Sequence, residues 1–503
     1  MSLPHRFPRA AALALLPLVC ACAEVTLPPL ISDHMVLQRG LPVHIWGKAA
    51  PDETVSVAFR GNTRTATADE IGRWSVYLPP SDAGGPFELT VKGNNAVTLT
   101  DVMVGEVWVD SGQSNMEFAL RTAMNAADEV AAANHPRIRQ FHVTRGASPF
   151  PQADAGGPAW SVCTPQTAGA FSAVAYFFAR ELEAKLGVAI GLIDSYWGGT
   201  PVEAWMSLRA LSSSAQFMPA FAQWSDMIDN YSVRAELRDK RMKDWQAAVA
   251  RAQADGQPRP PAPPGDSALD NSWMPAGLYN FMIAPLTAYP IGGVIWYQGE
   301  SNATAARAPT YAAMFEAMIR DWRAAWNVGD FPFLFVQLAN YKTGATSKWP
   351  ELREAQLQTL SVAKTGMAVT IDIGNPDNIH PTNKQDVGKR LALAARAVAY
   401  GEKIEYSGPL PRAASPEAGA IRIWFDHAAS GLEARGGALK GFQIAGADRK
   451  FVTAGAVIDG SSVLISNASV AQPLYVRYAW ADNPECNLYN KDGLPASPFR
   501  WGE

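Results

Sequence analysis

The sequence predicts an α/β protein, with a parallel-sheet core wrapped by helices and β modules on either side of it. Three observations predict this. Across residues 104–206 and 276–402, short Val- and Ile-rich runs alternate with helical segments, the pattern of a parallel sheet. Residues 24–103 and 403–503 hold only short strand-like runs between turn residues, as small β-sandwiches do. The chain, at 503 residues, is too long for one core, so roughly two to four domains are expected.

The elements follow in order. His5, Arg6 and Arg9 give a basic start, Ala10 to Val19 is a short apolar run, and Ala21-Cys22-Ala23 is a small-residue cleavage site. Residues 1–23 therefore read as an export leader, placing the protein in the periplasm or outside the cell. Val19-Cys20-Ala21-Cys22 also resembles a weak lipoprotein box with Cys22 as acceptor. In the first β module, Val43–Trp46, Val55–Phe59, Trp74–Leu78 and Phe87–Val91 are the strands. At Val104 the pattern changes. Val104–Asp110 is a buried-type strand, Gly112 a tight turn, and a helix is expected from Glu117 to about Ala133. Ile138–Thr144 and Val188–Asp194 are strands around a helix at Phe171–Leu186. Residues 207–275 read as an insertion, charged and helical over Val233–Ala254 and Pro-rich over Pro258–Pro264, and able to rim a site. The core resumes with strands at Gly292–Trp296, Phe333–Leu338 and Ala368–Ile371, and helices at Tyr311–Trp326, Glu351–Val362 and Lys384–Tyr400.

Composition excludes several classes of partner. Loss of the leader removes two Arg and no acid, moving the net charge from −4 to −6, which argues against nucleic acid and anionic membranes. No segment reaches spanning length, so stable membrane insertion is not expected. With no CxxC and no Cys/His cluster, no structural zinc is expected. Cys163 and Cys486 would be the mature chain's cysteines, able to pair if they meet. Sixteen Trp is a high count, and such rings can serve as sugar platforms.

Chemistry concentrates where strands end. Ligands of open α/β sheets bind outside the carboxyl ends of the strands. Four stretches end a strand in a polar loop, and they carry Ser114, Gly199, Gln298 with Glu300, and Asp377 with His380. Ser114 at a strand–helix junction is either an N-cap or a nucleophile beside free backbone N–H groups. His380 is the histidine that falls in a loop after a late core strand. Asp377, three residues before it, could orient it as a general base.

Gly112-Gln113-Ser114-Asn115 with the late Asp-x-x-His resembles the SGNH hydrolase superfamily. More narrowly, the chain resembles bacterial sialate O-acetylesterase-like carbohydrate esterases over nearly its whole mature length. The likeness is carried by Pro29–Arg39, Gly198–Trp205, Trp296–Ser301 and Asn487–Arg500 as well. The resemblance implies an SGNH, flavodoxin-like core and removal of O-acetyl groups from sugars through an acetyl-enzyme, without metal or cofactor. It implies Ser114 as nucleophile, His380 as base and Asp377 as the carboxylate orienting it. The oxyanion hole would be the N–H groups of Ser114 and Gly199 with the Gln298 side chain. The usual Gly-x-Asn block is here Gln298-Gly299-Glu300, which leaves Asn302 as a weaker donor and Glu300 as an alternative triad acid or helper.

The expected substrate is an O-acetylated oligo- or polysaccharide, either a plant polymer such as xyloglucan or O-acetylated sialic acid. A sialate carboxylate calls for an Arg clamp, for which Arg121, Arg145 and Arg307 are candidates. Trp197, Trp205 and Trp273 are candidate sugar-stacking residues, and Trp296 is equally a core residue. The alternative reading is a non-catalytic glycan-binding protein on a hydrolase scaffold. Oligomeric state is not legible.

Overall fold

The computed structural model describes residues 24–263, 265–266 and 268–502. The expected leader, with Cys22, lies outside the described residues. One 17-residue strand, Ala96–Gly112, organises the rest. Its first part pairs antiparallel with Gly84–Lys92 of the N-terminal β region, and its burial alternates there. From Val102 onward every residue is buried, as the strand passes into the core and gains parallel neighbours, from Gly105 on one edge and from Trp108 on the other. The expected boundary at 103/104 thus falls inside a continuous strand, and one 11-stranded mixed sheet runs through both regions.

In the core the sheet order is Thr365–Ala368, Phe333–Val336, Gly293–Tyr297, Ala96–Gly112, Ala189–Tyr196, His135–His142, with Ser161–Cys163 antiparallel at the edge. Apart from the short strand Val36–Gln38, which pairs parallel with the start of the core part of Ala96–Gly112, the six parallel strands on this path, numbered along the chain, lie in the order 2-3-1-4-5-6. The flavodoxin-like order 2-1-3-4-5 is therefore not found: the third strand, not the second, sits beside the first. The last strand is Thr365–Ala368 rather than Ala368–Ile371. Val369 and Ile371 are buried, but the ladder with Phe333–Val336 ends at Ala368. The expected helix from Glu117 to Ala133 is broken into Ser114–Glu117, a 3₁₀ turn at Leu120–Thr122, and Ala126–Ala132. Asn125, left-handed at φ 56°, starts the last piece.

Outside the sheet, the insertion is mainly the exposed helix Tyr231–Ala254, which has no buried residue. At the C-terminus, two four-stranded sheets enclose a core that includes Ile423, Phe425, Ile444, Val463 and Tyr478. Among the described residues no helix is long and apolar enough to cross a membrane. Cys163 and Cys486 are both free thiols and do not pair.

Register places the site. Gly112 stands opposite Tyr196 on one side and Tyr297 on the other, so three strands end level. The loops beginning at Gln113, Trp197 and Gln298 leave from one edge. Gly112 has φ 131°, and a Cβ there would lie 2.2 Å from the Tyr297 carbonyl oxygen. Only glycine allows this close, sharp exit. Helix Lys384–Val398 follows the fourth loop and lies against helix Ala173–Leu186. A Cβ at Gly388 would fall 2.5 Å from that of Phe177, so the missing side chain sets how closely the two helices approach.

Candidate active site

Ser114 opens the short helix Ser114–Glu117, so its N–H has no intrahelical partner. Its Oγ lies 2.7 Å from Nε2 of His380. The backbone of the His380 loop is held by two local turns. Asn378 Oδ1 accepts from the His380 N–H at 2.9 Å, and Asn375 Oδ1 accepts from the Asp377 N–H at 2.9 Å. Burial, aided by the Lys384 ammonium, lowers the His380 pKa below the ordinary imidazole value, while Glu117 opposes the shift. His380 is thus neutral at pH 7 and able to accept a proton.

The expected Asp377–His380 bond is not made. Those turns point Asp377 into solvent, where its carboxylate meets Lys342 Nζ at 3.5 Å and is 84% exposed. Among the described residues no side chain bonds His380 Nδ1. Gln298 is not a free donor either. It is fully buried, its Nε2 donates to Thr200 O at 3.1 Å and Asn302 Oδ1 at 2.7 Å, and its Oε1 accepts from Tyr311. Asn302 is equally taken, its Nδ2 donating to Glu203 and its Oδ1 accepting from Val202 N. Gly199 does line the site. Trp205 is a core residue, fully buried, donating to Thr200 Oγ1 and packing edge-on against Trp296. Trp197 borders the site. Trp273 instead braces it, donating to Gly199 O at 2.7 Å with Arg307 over its ring.

Glu300 belongs to a buried network under Ser114. Lys384 Nζ donates to Asn115 Oδ1 at 2.6 Å, and Asn115 Nδ2 donates to Glu300 Oε1 at 2.6 Å and to the carbonyl of Ile379 at 3.0 Å. Ile379 precedes His380, so this chain of bonds ties the nucleophile's turn to the loop of its base. Burial pushes Lys384 down to about 7, opposed by Glu300. Burial pushes Glu300 up, opposed by the Asn115 bond and by Lys384. Glu117 is a second carboxylate at the site. Its Oε2 accepts from Gly198 N at 2.8 Å and its Oε1 pairs with Arg145 at 2.6 Å. Deeper, the neighbouring strands set Asp110 beside Asp194, both fully buried. Burial, and then the Asp194 charge, hold Asp110 well above the usual carboxylate range.

Sequence reasoning missed Glu117, Asn115 and Lys384. Glu117 carried a signal as an acid in the first helical turn after Ser114. Lys384 carried none, since a lysine in a polar helix start reads as solvated.

The open cleft over Ser114 is about 570 Å³ and is bordered by Trp197, Gly199, Asp270, Ser272, Glu300 and His380, among others. Asp270 and Ser272 come from the insertion, which does rim the site. No Arg or Lys lines it among the described residues. Arg121 donates to Gly169 O, Arg145 is held by Glu117, and Arg307 by Glu203.

Comparison with known proteins is decisive at the family level. A family model described as carbohydrate esterase, sialic acid-specific acetylesterase, matches residues 261–397. The chain is 31% identical to the sialate O-acetylesterase of Mus musculus, over 93% of each chain. It is 33% identical to that of Homo sapiens, over 76% of this chain and 72% of the human one. The chain belongs to the sialate O-acetylesterase family of carbohydrate esterases. A crystal structure described as a carbohydrate acetylesterase from Xanthomonas citri is 44% identical, with a TM-score of 0.81 over 95% of this chain and 99% of that one. Membership makes this protein a carboxylic ester hydrolase. The non-catalytic alternative has nothing in its favour.

Proposed function

We propose that this esterase removes O-acetyl groups from neutral glycan chains, using a Ser114–His380 dyad of SGNH type. The carrying observation is the 2.7 Å contact between Ser114 Oγ and His380 Nε2, with the imidazole held neutral. His380 takes the Ser114 proton as Oγ bonds the acetyl carbon. The bond from that carbon to the sugar oxygen breaks, and the sugar leaves with the proton from His380. Water, activated by His380 in turn, releases acetate and restores Ser114. The oxyanion is held by the N–H groups of Ser114 and Gly199. Gln113 replaces Gln298 as side-chain donor. Its Oε1 is fixed by Gly299 N at 3.3 Å and Ser301 N at 3.4 Å, and its amide nitrogen makes no bond among the described residues. No carboxylate bonds His380 Nδ1 among the described residues, and in this reading Glu117 supplies the negative field that favours the imidazolium formed during reaction.

The neutral class is supported by the cleft's charge. Asp270 borders it and no Arg or Lys lines it among the described residues, which disfavours a substrate carrying its own carboxylate. Sialic acid is the second reading, favoured by the relatives' names. Export to the periplasm or beyond, with Cys22 as a lipid acceptor in the alternative, is proposed from the leader sequence alone.

The test is acetate release by wild type and Ser114→Ala from acetylated xyloglucan oligosaccharides and from mucin bearing O-acetylated sialic acid. Ser114-dependent release from the oligosaccharides alone supports the neutral reading. Release from mucin alone replaces it with the sialate reading. Absence of Ser114 dependence on any ester sinks the dyad.

A further inference from the structure

A second cleft, of about 810 Å³, lies in the N-terminal β region. Ala288, at its edge, precedes strand Gly293–Tyr297, so the cleft is at the end of the sheet where parallel strands begin, away from Ser114. Its floor follows from strand pairing. Val43–Lys48 and Arg73–Leu78 form an antiparallel ribbon in which His44 faces Tyr77, Trp46 faces Ser75 and Lys48 faces Arg73. With a period of two, these six side chains stand on one face of the ribbon. His44 is stacked between Trp46 and Tyr77, with ring centroids 5.0 and 4.2 Å away. Trp46 is half-buried and donates to the exposed Asp154 at 3.3 Å.

One lining side chain on this face is polar, buried and incompletely bonded. His44 is 8% exposed; its Nδ1 bonds the Ala288 carbonyl at 2.8 Å, and its Nε2 has no partner among the described residues. Leaving a buried polar group unpaired is unfavourable, so it marks a place where something else completes the bonding. The charges that border the cleft balance, with Lys48 and Arg73 against Asp69 and Asp154.

We propose that this cleft is a second binding site, for a neutral oligosaccharide segment of the polymer. A pyranose has a C–H face that an aromatic ring can cover and a rim of hydroxyls that planar polar groups can bind. Trp46 offers the ring, and Asp154, Lys48 and Arg73 the rim partners. Balanced charge favours neither an anion nor a cation. Holding the chain here raises its effective concentration at Ser114 without adding a contact in the esterase cleft.

The test is affinity electrophoresis of the full chain in gels containing xyloglucan, glucomannan or hydroxyethylcellulose, with polysialic acid as the acidic arm. These polymers need carry no acetyl group, so binding is read without turnover and separately from the esterase chemistry. Retardation by at least one neutral polymer is expected. It should weaken by about tenfold or more in Trp46→Ala and Asp154→Ala, with turnover of 4-nitrophenyl acetate within about twofold of wild type. Asp154 is exposed, so Asp154→Ala keeps the fold and alone decides the matter if Trp46→Ala melts early. No retardation by any neutral polymer, retardation by polysialic acid alone, or wild-type retardation in the folded variants would each overturn the proposal.

Discussion

Asp377→Asn separates a dyad from a triad more sharply than any other change. The Asp377 carboxylate is 84% exposed and meets Lys342 Nζ, itself 63% exposed, at 3.5 Å. An exposed pair of this kind is worth at most about 1 kcal/mol, which caps any effect on rate at roughly fivefold. If Asp377 oriented His380, the same change would cost about 10⁴ in kcat, as loss of a triad carboxylate does. The two expectations differ by roughly three orders of magnitude. The assay is kcat/KM on 4-nitrophenyl acetate for wild type and Asp377→Asn, with His380→Ala as the floor and thermal melts as the fold control. A loss within about fivefold is expected. A loss above about 10³ with an unchanged melt would refute the reasoning. It would mean that the 375–380 loop turns on substrate binding and brings Asp377 to Nδ1.

Three further outcomes are expected. Ser114→Ala and His380→Ala should each lower kcat by at least about 10⁴ while the melting temperature holds, since the two groups act as a unit; a small loss in either would remove it from the chemistry. In the pH profile of kcat/KM, the acid limb reports His380. Glu117→Gln removes the group that raises its pKa and should move the limb to lower pH, whereas Lys384→Met removes one that lowers it and should move the limb up. A limb that stays put in both variants would show that His380 is not the titrating base. Asp110→Asn should stabilise the protein, most at neutral pH. Asp110 keeps its proton in the fold because burial and Asp194 raise its pKa, and the unfolded chain releases that proton near the ordinary value of about 4. The fold then binds more protons than the unfolded state above that pH, so stability falls as pH rises towards the folded value. Asn removes this slope, and melts from pH 4 to 8 would show it; equal slopes in both proteins would count against a protonated Asp110.

What the sequence made legible is what chain direction and period control. Residues 104–110 read as a buried strand because both faces are covered, and Gly112 and Ser114 read as a turn and a helix start because a level strand end needs them. The sequence therefore puts Ser114 and His380 on one edge of the sheet, and they meet there. Side-chain direction within a loop is a different matter. The Asp-x-x-His spacing says that Asp377 and His380 are near in sequence, but Asn375 and Asn378 turn the backbone and send the carboxylate outward. Gln298 lies at the expected strand end, yet Thr200, Asn302 and Tyr311 take its amide into the core. Each of these failures comes from a hydrogen bond between residues whose partners are set by tertiary packing rather than by period.

Asn115 shows why such bonds matter to function. It lies in the first turn of the helix that Ser114 opens, where Gln113 takes the N-cap position and no side chain caps the helix. The Asn115 amide instead joins three elements: Lys384 from the last core helix, Glu300 from the turn after strand Gly293–Tyr297, and the Ile379 carbonyl beside His380. Lys384 and Glu300 each shift towards neutrality by burial and are drawn back towards charge by the other. A missing partner would leave a buried charge uncompensated, which is strongly unfavourable. The network is therefore satisfied only when the Ser114 turn, the Glu300 turn and the His380 loop are together. With no carboxylate on Nδ1 among the described residues, that shared condition keeps the His380 loop beside the Ser114 turn, where Nε2 lies 2.7 Å from Ser114 Oγ.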